Sequence, residues 1–251
     1  GIPQRLYFAD YPKQQPGNFR VPVMENYKIN FELETSIGVS GASGTGKSTF
    51  VNYLIECLST AGADMHVIDP KSDELSKLAK SKGLKCFKAA DYTNSNDFVN
   101  AVNDLLKKYI DLIHKRQKNY LESGKRDPKR YYIVIDELIA LIASANKTAS
   151  DTLKQQLETI AVIGRSSNVS LILIAQDWNV ASSGISTTLR NQISVKVALG
   201  RPSKSSLQYL FPDIDSIIVP AGPGTGVISS NSAMDGRAYP ILAPTVEKAV
   251  R

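Results

Sequence analysis

The chain has 251 residues, of which 42% are apolar and 22% charged, with 16 Gly, 12 Pro and 2 Cys; this is enough to bury a substantial core in one large domain or two small ones. Such a composition excludes a disordered chain, a collagen and a small disulfide scaffold. Thirty Lys and Arg against 24 Asp and Glu leave a net charge of +6, which permits a polyanionic partner without requiring one.

Residues 1–34 are expected to form an extended lead-in or the remnant of an upstream domain, because Pro3, Pro12, Pro16 and Pro22 fall there with no periodic helix between them. From Ile37 onward, short β-branched runs alternate with amphipathic stretches, the pattern of crossover units on a mainly parallel sheet. Strands are predicted near 37–40, 65–69, 85–88, 131–136, 170–175, 194–199, 226–229 and 239–242. Helices are predicted over 47–61, 95–122 and 149–166; the first sets Phe50, Leu54, Cys57 and Leu58 on one face. The fold class is therefore α/β, a mainly parallel twisted sheet with helices on both faces, and residues 35–251 are expected to be a single domain.

Cys57 and Cys86 sit in apolar patterns with no CxxC and no Cys/His cluster, which fits buried thiols in a reducing compartment and argues against structural zinc. No apolar run reaches membrane-spanning length and the first residues lack a signal-peptide layout, so the chain as given is expected to be cytoplasmic.

Between the first predicted strand and helix lies Gly41-Ala42-Ser43-Gly44-Thr45-Gly46-Lys47-Ser48, followed by Thr49. This fits G-x-x-x-x-G-K-[ST] in its required strand-loop-helix setting. Glycines let the backbone curl so that its N–H groups point inward, and the helix that follows adds its positive end to a phosphate chain. The pattern predicts ATP on residues 41–49, with Lys47 on the β- and γ-phosphates and the Ser48 hydroxyl on Mg2+.

A P-loop protein that hydrolyses needs a second strand to deliver carboxylates. Tyr131-Tyr132-Ile133-Val134-Ile135-Asp136-Glu137 supplies one: Asp136 can reach the metal's water shell and Glu137 can act as general base on the attacking water. Glu137 also suits the start of the next helix, where a carboxylate meets the helix dipole. A third strand, Leu171 to Ala175, ends at Gln176, where a polar side chain lies beside a γ-phosphate or simply caps the strand.

In order along the chain, the run Gly41 to Ser48, Val67-Ile68-Asp69-Pro70-Lys71 with Glu74-Leu75-Ser76, Ile133 to Glu137, Arg165-Ser166-Ser167-Asn168, Leu173-Ile174-Ala175-Gln176, Leu189 to Ile193 and Pro223-Gly224-Thr225-Gly226 resemble the motor domain of the FtsK/SpoIIIE DNA translocases, over about residues 35–243. The resemblance implies a RecA-like P-loop ATPase that assembles as a ring, usually of six subunits, and threads double-stranded DNA without reading its sequence. It further implies an arginine eleven residues before the glutamine that reaches the neighbouring subunit's ATP; Arg165 stands eleven residues before Gln176 and would act as a finger in trans. Arg190 and Arg201 are rivals for that role, and Arg165 also suits a helix-end cation. Division-type relatives carry membrane spans upstream and a winged helix downstream. The ending at Arg251 fits a conjugative or mobile-element coupling ATPase better than a chromosome-segregation pump, and the full-length protein is expected at the cytoplasmic face of the membrane, through spans of its own or a membrane-embedded partner. A protein-export ATPase of a specialised secretion system and a nucleotide-binding interaction module that rarely hydrolyses are the remaining alternatives.

The charge has a place. Between His114 and Arg130, seven cations (Lys115, Arg116, Lys118, Lys125, Arg126, Lys129 and Arg130) face Glu122 and Asp127, leaving +5 of the chain's +6. Gly124 and Pro128 predict a loop there, able to contact phosphates without sequence readout, or else a solvated helix end. The Ser/Gly-rich stretch from Asn179 to Thr188 is a second, nearly uncharged candidate. His66, His114 and Trp178 read as structural.

Overall fold

The computed structural model describes residues 5, 14–42, 44–179, 183–200, 204–212 and 222–245. Its centre is an eight-stranded sheet of β3 (Ile37–Ser40), β4 (Asp64–Asp69), β5 (Lys85–Lys88), β6 (Tyr131–Ile135), β7 (Val169–Ala175), β8 (Val195–Leu199), β9 (Thr225–Ser230) and β10 (Tyr239–Leu242), in the spatial order β10-β9-β8-β3-β7-β6-β4-β5. All pairings from β8 through β5 are parallel; β9 and β10 close one edge as antiparallel strands. All eight predicted strands are present, with boundaries that differ by a residue or two.

Alternation along the buried strands splits the core in two, as a sheet covered on both faces requires. Ile37, Val39, Val67, Val134, Ile172, Ile174 and Val197 face one way and pack with α1 (Lys47–Ala61) and α2 (Glu74–Lys82). Ile68, Ile133, Ile135, Leu171 and Leu173 face the other, against α3 (Ser95–Ser123), α4 (Leu138–Ala143) and α5 (Lys147–Ile163). Gly38 points to this second face, where a Cβ would stand 3.1 Å from the ring of the fully buried Trp178 and 3.2 Å from Ile193. Only a residue without a side chain lets the central strand accept that indole. Among the described residues two short helices follow, α6 (Thr187–Asn191) and α7 (Lys204–Leu210).

The predicted helix over 149–166 stops at Ile163; Arg165–Ser167 instead form one 3-10 turn closed by Asn168 at φ 56. Of the first 34 residues, 14–34 hold more structure than an extended lead-in. β1 (Arg20–Met24) and β2 (Tyr27–Asn30) form an antiparallel hairpin, and Val21, Val23, Ile29 and Phe31 are buried in the same core as Phe50 and Leu54. Tyr53 of α1 donates its hydroxyl proton to the Pro22 carbonyl. Apolar residues at every second position from 19 to 23 and from 27 to 31 drive the hairpin down, and Pro22 is tolerated because the sheet has only two strands. Among the described residues no helix is long and apolar enough to cross a membrane.

Candidate functional site

Parallel strands present their carboxyl ends together, and there β3, β4, β6 and β7 hand over to loops that converge on one cleft of about 450 Å3. Ala42, Gly44, Gly46, Lys47, Ser48, Thr49, Asp136, Glu137 and Gln176 line it, with Lys71, Asp73, Glu74 and Pro223. Of the residues predicted from 41–49, 136–137 and 176, all line it except Gly41 and Thr45, which belong to the same loop without lining the cleft, and Ser43, which lies outside the described residues.

The loop between β3 and α1 is held by its own backbone and by a late turn. Gly46 caps α1 at φ 86 with no side-chain hydrogen bond to the first amides, and no acidic residue lies in the first turn. Those amides are therefore free to receive an anion, with the helix dipole behind them. The Gly224 N–H donates to the Thr45 carbonyl at 2.8 Å, and a Cβ on Gly46 would stand 2.8 Å from that same nitrogen. The Pro223-Gly224 turn therefore braces the loop, and Arg5 reaches the Pro223 carbonyl at 3.2 Å.

Across the cleft, β6 ends in two carboxylates. Glu137 sits at φ 50, ψ 60 and caps α4 without a side-chain bond to it; this left-handed backbone turns its carboxylate toward the loop. The Lys47 ammonium donates to Glu137 Oε1 at 3.1 Å, both side chains being largely buried. Asp136 lies alongside. Burial, then the charges of Asp69 and Glu137, push its pKa up to about 6 against the opposing pull of Lys47.

Asp69, at the end of β4, is fully buried. Its carboxylate accepts from the backbone N–H groups of Lys71, Ser72, Asp73 and Ser76 and, at 2.6 Å, from the Ser76 hydroxyl. This winds residues 69–76 into a tight turn and carries Lys71 to 3.8 Å from Glu137. The Asp-Pro-Lys run marked that segment in the sequence without revealing that Lys71 would meet the second carboxylate.

The residues fit a nucleotide with Mg2+. Free amides, a shielded ammonium and glycine-lined space suit phosphates, and the Ser48 hydroxyl and the Asp136 carboxylate are hard oxygen donors on one cleft. Among the described residues no group of three His, Cys, Asp or Glu is placed to hold a metal, so a cation here would rest on those two donors and on phosphate oxygens.

Arg165 stands elsewhere. It is exposed at the amino-terminal edge of the sheet, in a hollow lined by Leu33, Thr35, Val162, Gln192 and Ser194, a strand length of roughly 15–20 Å from the cleft. It cannot reach the phosphate loop of its own chain. Leu33 and Val162 beside it are 57% and 50% exposed. Of its rivals, Arg190 stacks over the Tyr209 ring at 4.9 Å, and Arg201 lies outside the described residues, as do 180–182 of the Ser/Gly-rich stretch.

The basic segment reaches the same edge, and its cations differ in kind. Arg116 is not available to a polyanion: it is buried and donates to the carbonyls of Lys129 and Ser167 at 2.7 Å each, pairs with Asp127 at 3.2 Å and covers the Tyr131 ring. Its position continues the buried stripe of Val102, Leu106 and Ile113 along α3, a signal the run of charges masks. Lys129 is tied to Asp64 and the Gly62 carbonyl, and Arg130 reaches the Phe31 carbonyl. Arg126 stacks on Tyr120 and donates to the Ser166 carbonyl at 2.8 Å, while the Asn168 amide donates to the Asp127 carbonyl. Lys115, Lys118 and Lys125 are exposed.

Comparison with known proteins agrees with this architecture. Residues 24–168 match the family described as helicase HerA, central domain. An FtsK domain-containing protein, YdcQ of Bacillus subtilis (strain 168), is 24% identical over 228 residues, covering 86% of this chain and 45% of that protein; the chain thus spans less than half of that relative's length. Among solved structures, the pCW3 conjugation coupling protein TcpA, determined as a monomer with ATPγS, has a TM-score of 0.75 at 21% identity, covering 97% of this chain and 70% of that one. EssC (ATPases 2 and 3) from Geobacillus thermodenitrificans has a TM-score of 0.72 at 17% identity, covering all of this chain and 49% of that one. These likenesses identify the fold as that of RecA-like P-loop NTPases.

Proposed function

The chain belongs to the family of the helicase HerA central domain, an FtsK-type motor domain, and on that premise we propose that it is an ATP-hydrolysing DNA translocase subunit that works in a hexameric ring, in conjugative or mobile-element DNA transfer. The observation that carries this reading is the division of labour between two edges of one sheet. Lys47, Asp136 and Glu137 meet at the carboxyl edge, and Arg165 projects from the opposite edge beside exposed Leu33 and Val162. A site of this kind is completed when the amino edge of one subunit meets the carboxyl edge of the next.

In the proposed mechanism the loop amides and Lys47 hold the β- and γ-phosphates, and Ser48 and Asp136 hold Mg2+. The cation, when bound, screens phosphate charge and orients the transferring group. Glu137 exchanges its bond with Lys47 for one with water and takes the water's proton during attack on the γ-phosphorus, as the bond from that phosphorus to the bridging oxygen breaks and ADP leaves. Gln176 contacts the γ-phosphate, and Arg165 of the adjoining subunit stabilises the charge that develops. Lys118, Lys125 and Arg126 contact the DNA backbone; contacts of this type carry no sequence preference and weaken with salt. Attachment to the cytoplasmic face of a membrane belongs to this proposal, through segments or partners of the full-length protein.

The test is ATP turnover measured above the assembly concentration, with and without double-stranded DNA. Stimulation by DNA is expected. Stimulation by a secreted polypeptide with indifference to DNA would overturn the reading in favour of a protein-export ATPase. Mixing Arg165→Ala with Lys47→Ala protein is expected to restore part of the turnover that each lacks, since each mixed interface can unite an intact arginine with an intact phosphate loop.

A further inference from the structure

Glu137 Oε1 receives two ammonium groups, Lys47 at 3.1 Å and Lys71 at 3.8 Å, and only the first is spoken for by the phosphates. The two cations differ in setting. Lys47 is 9% exposed and grows from α1, whereas Lys71 is 52% exposed and grows from the turn that Asp69 winds. That turn is a rigid support: Asp69 accepts five hydrogen bonds from residues 71–76, Ser72 is held at φ 54, and its hydroxyl accepts from the Ala90 N–H at 2.9 Å. The Lys71 backbone is thereby fixed, and its side chain reaches across the cleft mouth to a carboxylate whose own residue has a left-handed backbone and makes no side-chain cap to α4.

We propose that Lys71 is a positioning residue for Glu137, retaining its carboxylate in the attack orientation when the Lys47 ammonium turns to the phosphates. The inference rests on the hydrolytic reading of this cleft and adds a residue to it. Without Lys71, departure of Lys47 leaves Glu137 with no cation among its described partners, beside the Asp136 carboxylate. Repulsion from Asp136 then swings Glu137 toward solvent and away from the water it must deprotonate. With Lys71, the carboxylate keeps one ion pair and one direction. A long, half-exposed lysine can follow a small movement of its partner while its stem stays anchored.

Steady-state ATP turnover by this chain, with Lys71→Met, Lys71→Arg, Glu137→Gln and the double variant Lys71→Met/Glu137→Gln, tests the assignment. Equilibrium binding of a non-hydrolysable ATP analogue with Mg2+ and thermal melting of each variant accompany it. Lys71→Met is expected to lower kcat about tenfold, with KM, analogue affinity and melting close to wild type. Lys71→Arg is expected to regain most of the rate, and Lys71→Met to cost nothing further in the Glu137→Gln background. An unchanged kcat in Lys71→Met overturns the proposal. So does weakened analogue binding with kcat intact, which would make Lys71 a phosphate ligand, and so does a rate loss that persists on top of Glu137→Gln. Wild-type turnover that Lys47→Ala abolishes tests the hydrolytic reading separately: its absence would sink both readings, whereas its presence with an indifferent Lys71 sinks this one alone.

Discussion

Lys47 and Glu137, 90 residues apart in the chain, share a 3.1 Å ion pair at the mouth of the nucleotide cleft. In the proposed mechanism one member binds phosphate and the other activates water, so the pair holds each away from its task until a nucleotide draws Lys47 off. The two residues consequently separate under mutation. Lys47→Ala is expected to abolish nucleotide binding. Glu137→Gln is expected to retain binding while turnover falls by about 10²-fold or more. Fluorescent-nucleotide titration and phosphate release read the two effects independently.

Gly46→Ala is expected to destabilise the fold by about 1–3 kcal/mol and to lose nucleotide affinity. The residue lies at φ 86, and its added methyl would press on the backbone nitrogen of Gly224 at 2.8 Å. Gly62, at φ 111 with nothing within 4 Å of a Cβ, is the control; Gly62→Ala should cost only the left-handed backbone penalty of about 1–2 kcal/mol and leave binding intact. Urea denaturation with nucleotide titration distinguishes the two.

Two residues of the basic segment should behave in opposite ways. Arg116→Ala strips the carbonyls of Lys129 and Ser167 of a charged donor and the half-exposed Asp127 carboxylate of its partner, and is expected to cost about 2–4 kcal/mol of stability. Lys125→Ala is expected to stay within about 0.5 kcal/mol of wild type while reducing the slope of log K against log salt for DNA binding by about 1. Chemical denaturation and a salt series of DNA binding are the measurements.

Asp136 sets a pH dependence whose sign follows from its raised pKa. Burial and the charges of Asp69 and Glu137 lift it from 3.8 to about 6, so between those values the folded protein holds a proton that the unfolded chain has released. Its contribution to stability is fully present below about 4 and is lost as pH rises through about 6. Asp136→Asn, which cannot ionise, is therefore expected to melt higher than wild type at pH 7.5 in the absence of nucleotide. The gap should close toward pH 4.5 in a melting series across that range.

Where a residue's type and its local spacing decide its place, the sequence was readable. Gly41 to Ser48 between a strand and a helix, and Asp136-Glu137 after five apolar residues, announced the cleft because both motifs are local. The β1–β2 hairpin was harder: strands of five and four residues around Pro22 carry too few alternations to outweigh proline punctuation, although Val21, Val23, Tyr27, Ile29 and Phe31 contain the pattern. Arg116 was hidden for the opposite reason. Charge is visible in a sequence and burial is not, and only continuity with the Ile113 stripe betrayed it. Lys71 and Glu137 lie 66 positions apart, and their meeting depends on β4 and β6 being neighbours in the sheet, which no local pattern encodes.

The contacts between residues 116–130 and 165–168 join the end of α3 and the loop after it to one turn at one edge of the molecule. Arg116, in the last turns of α3, binds the Ser167 carbonyl, Arg126 in the loop that follows binds the Ser166 carbonyl, and Asn168 binds the Asp127 carbonyl. Lys125 and Lys129 thereby flank residues whose hydrogen bonds run directly to the turn that carries Arg165. Three side chains thus join the chain's most positive segment to the arginine-bearing turn at the edge opposite its own cleft.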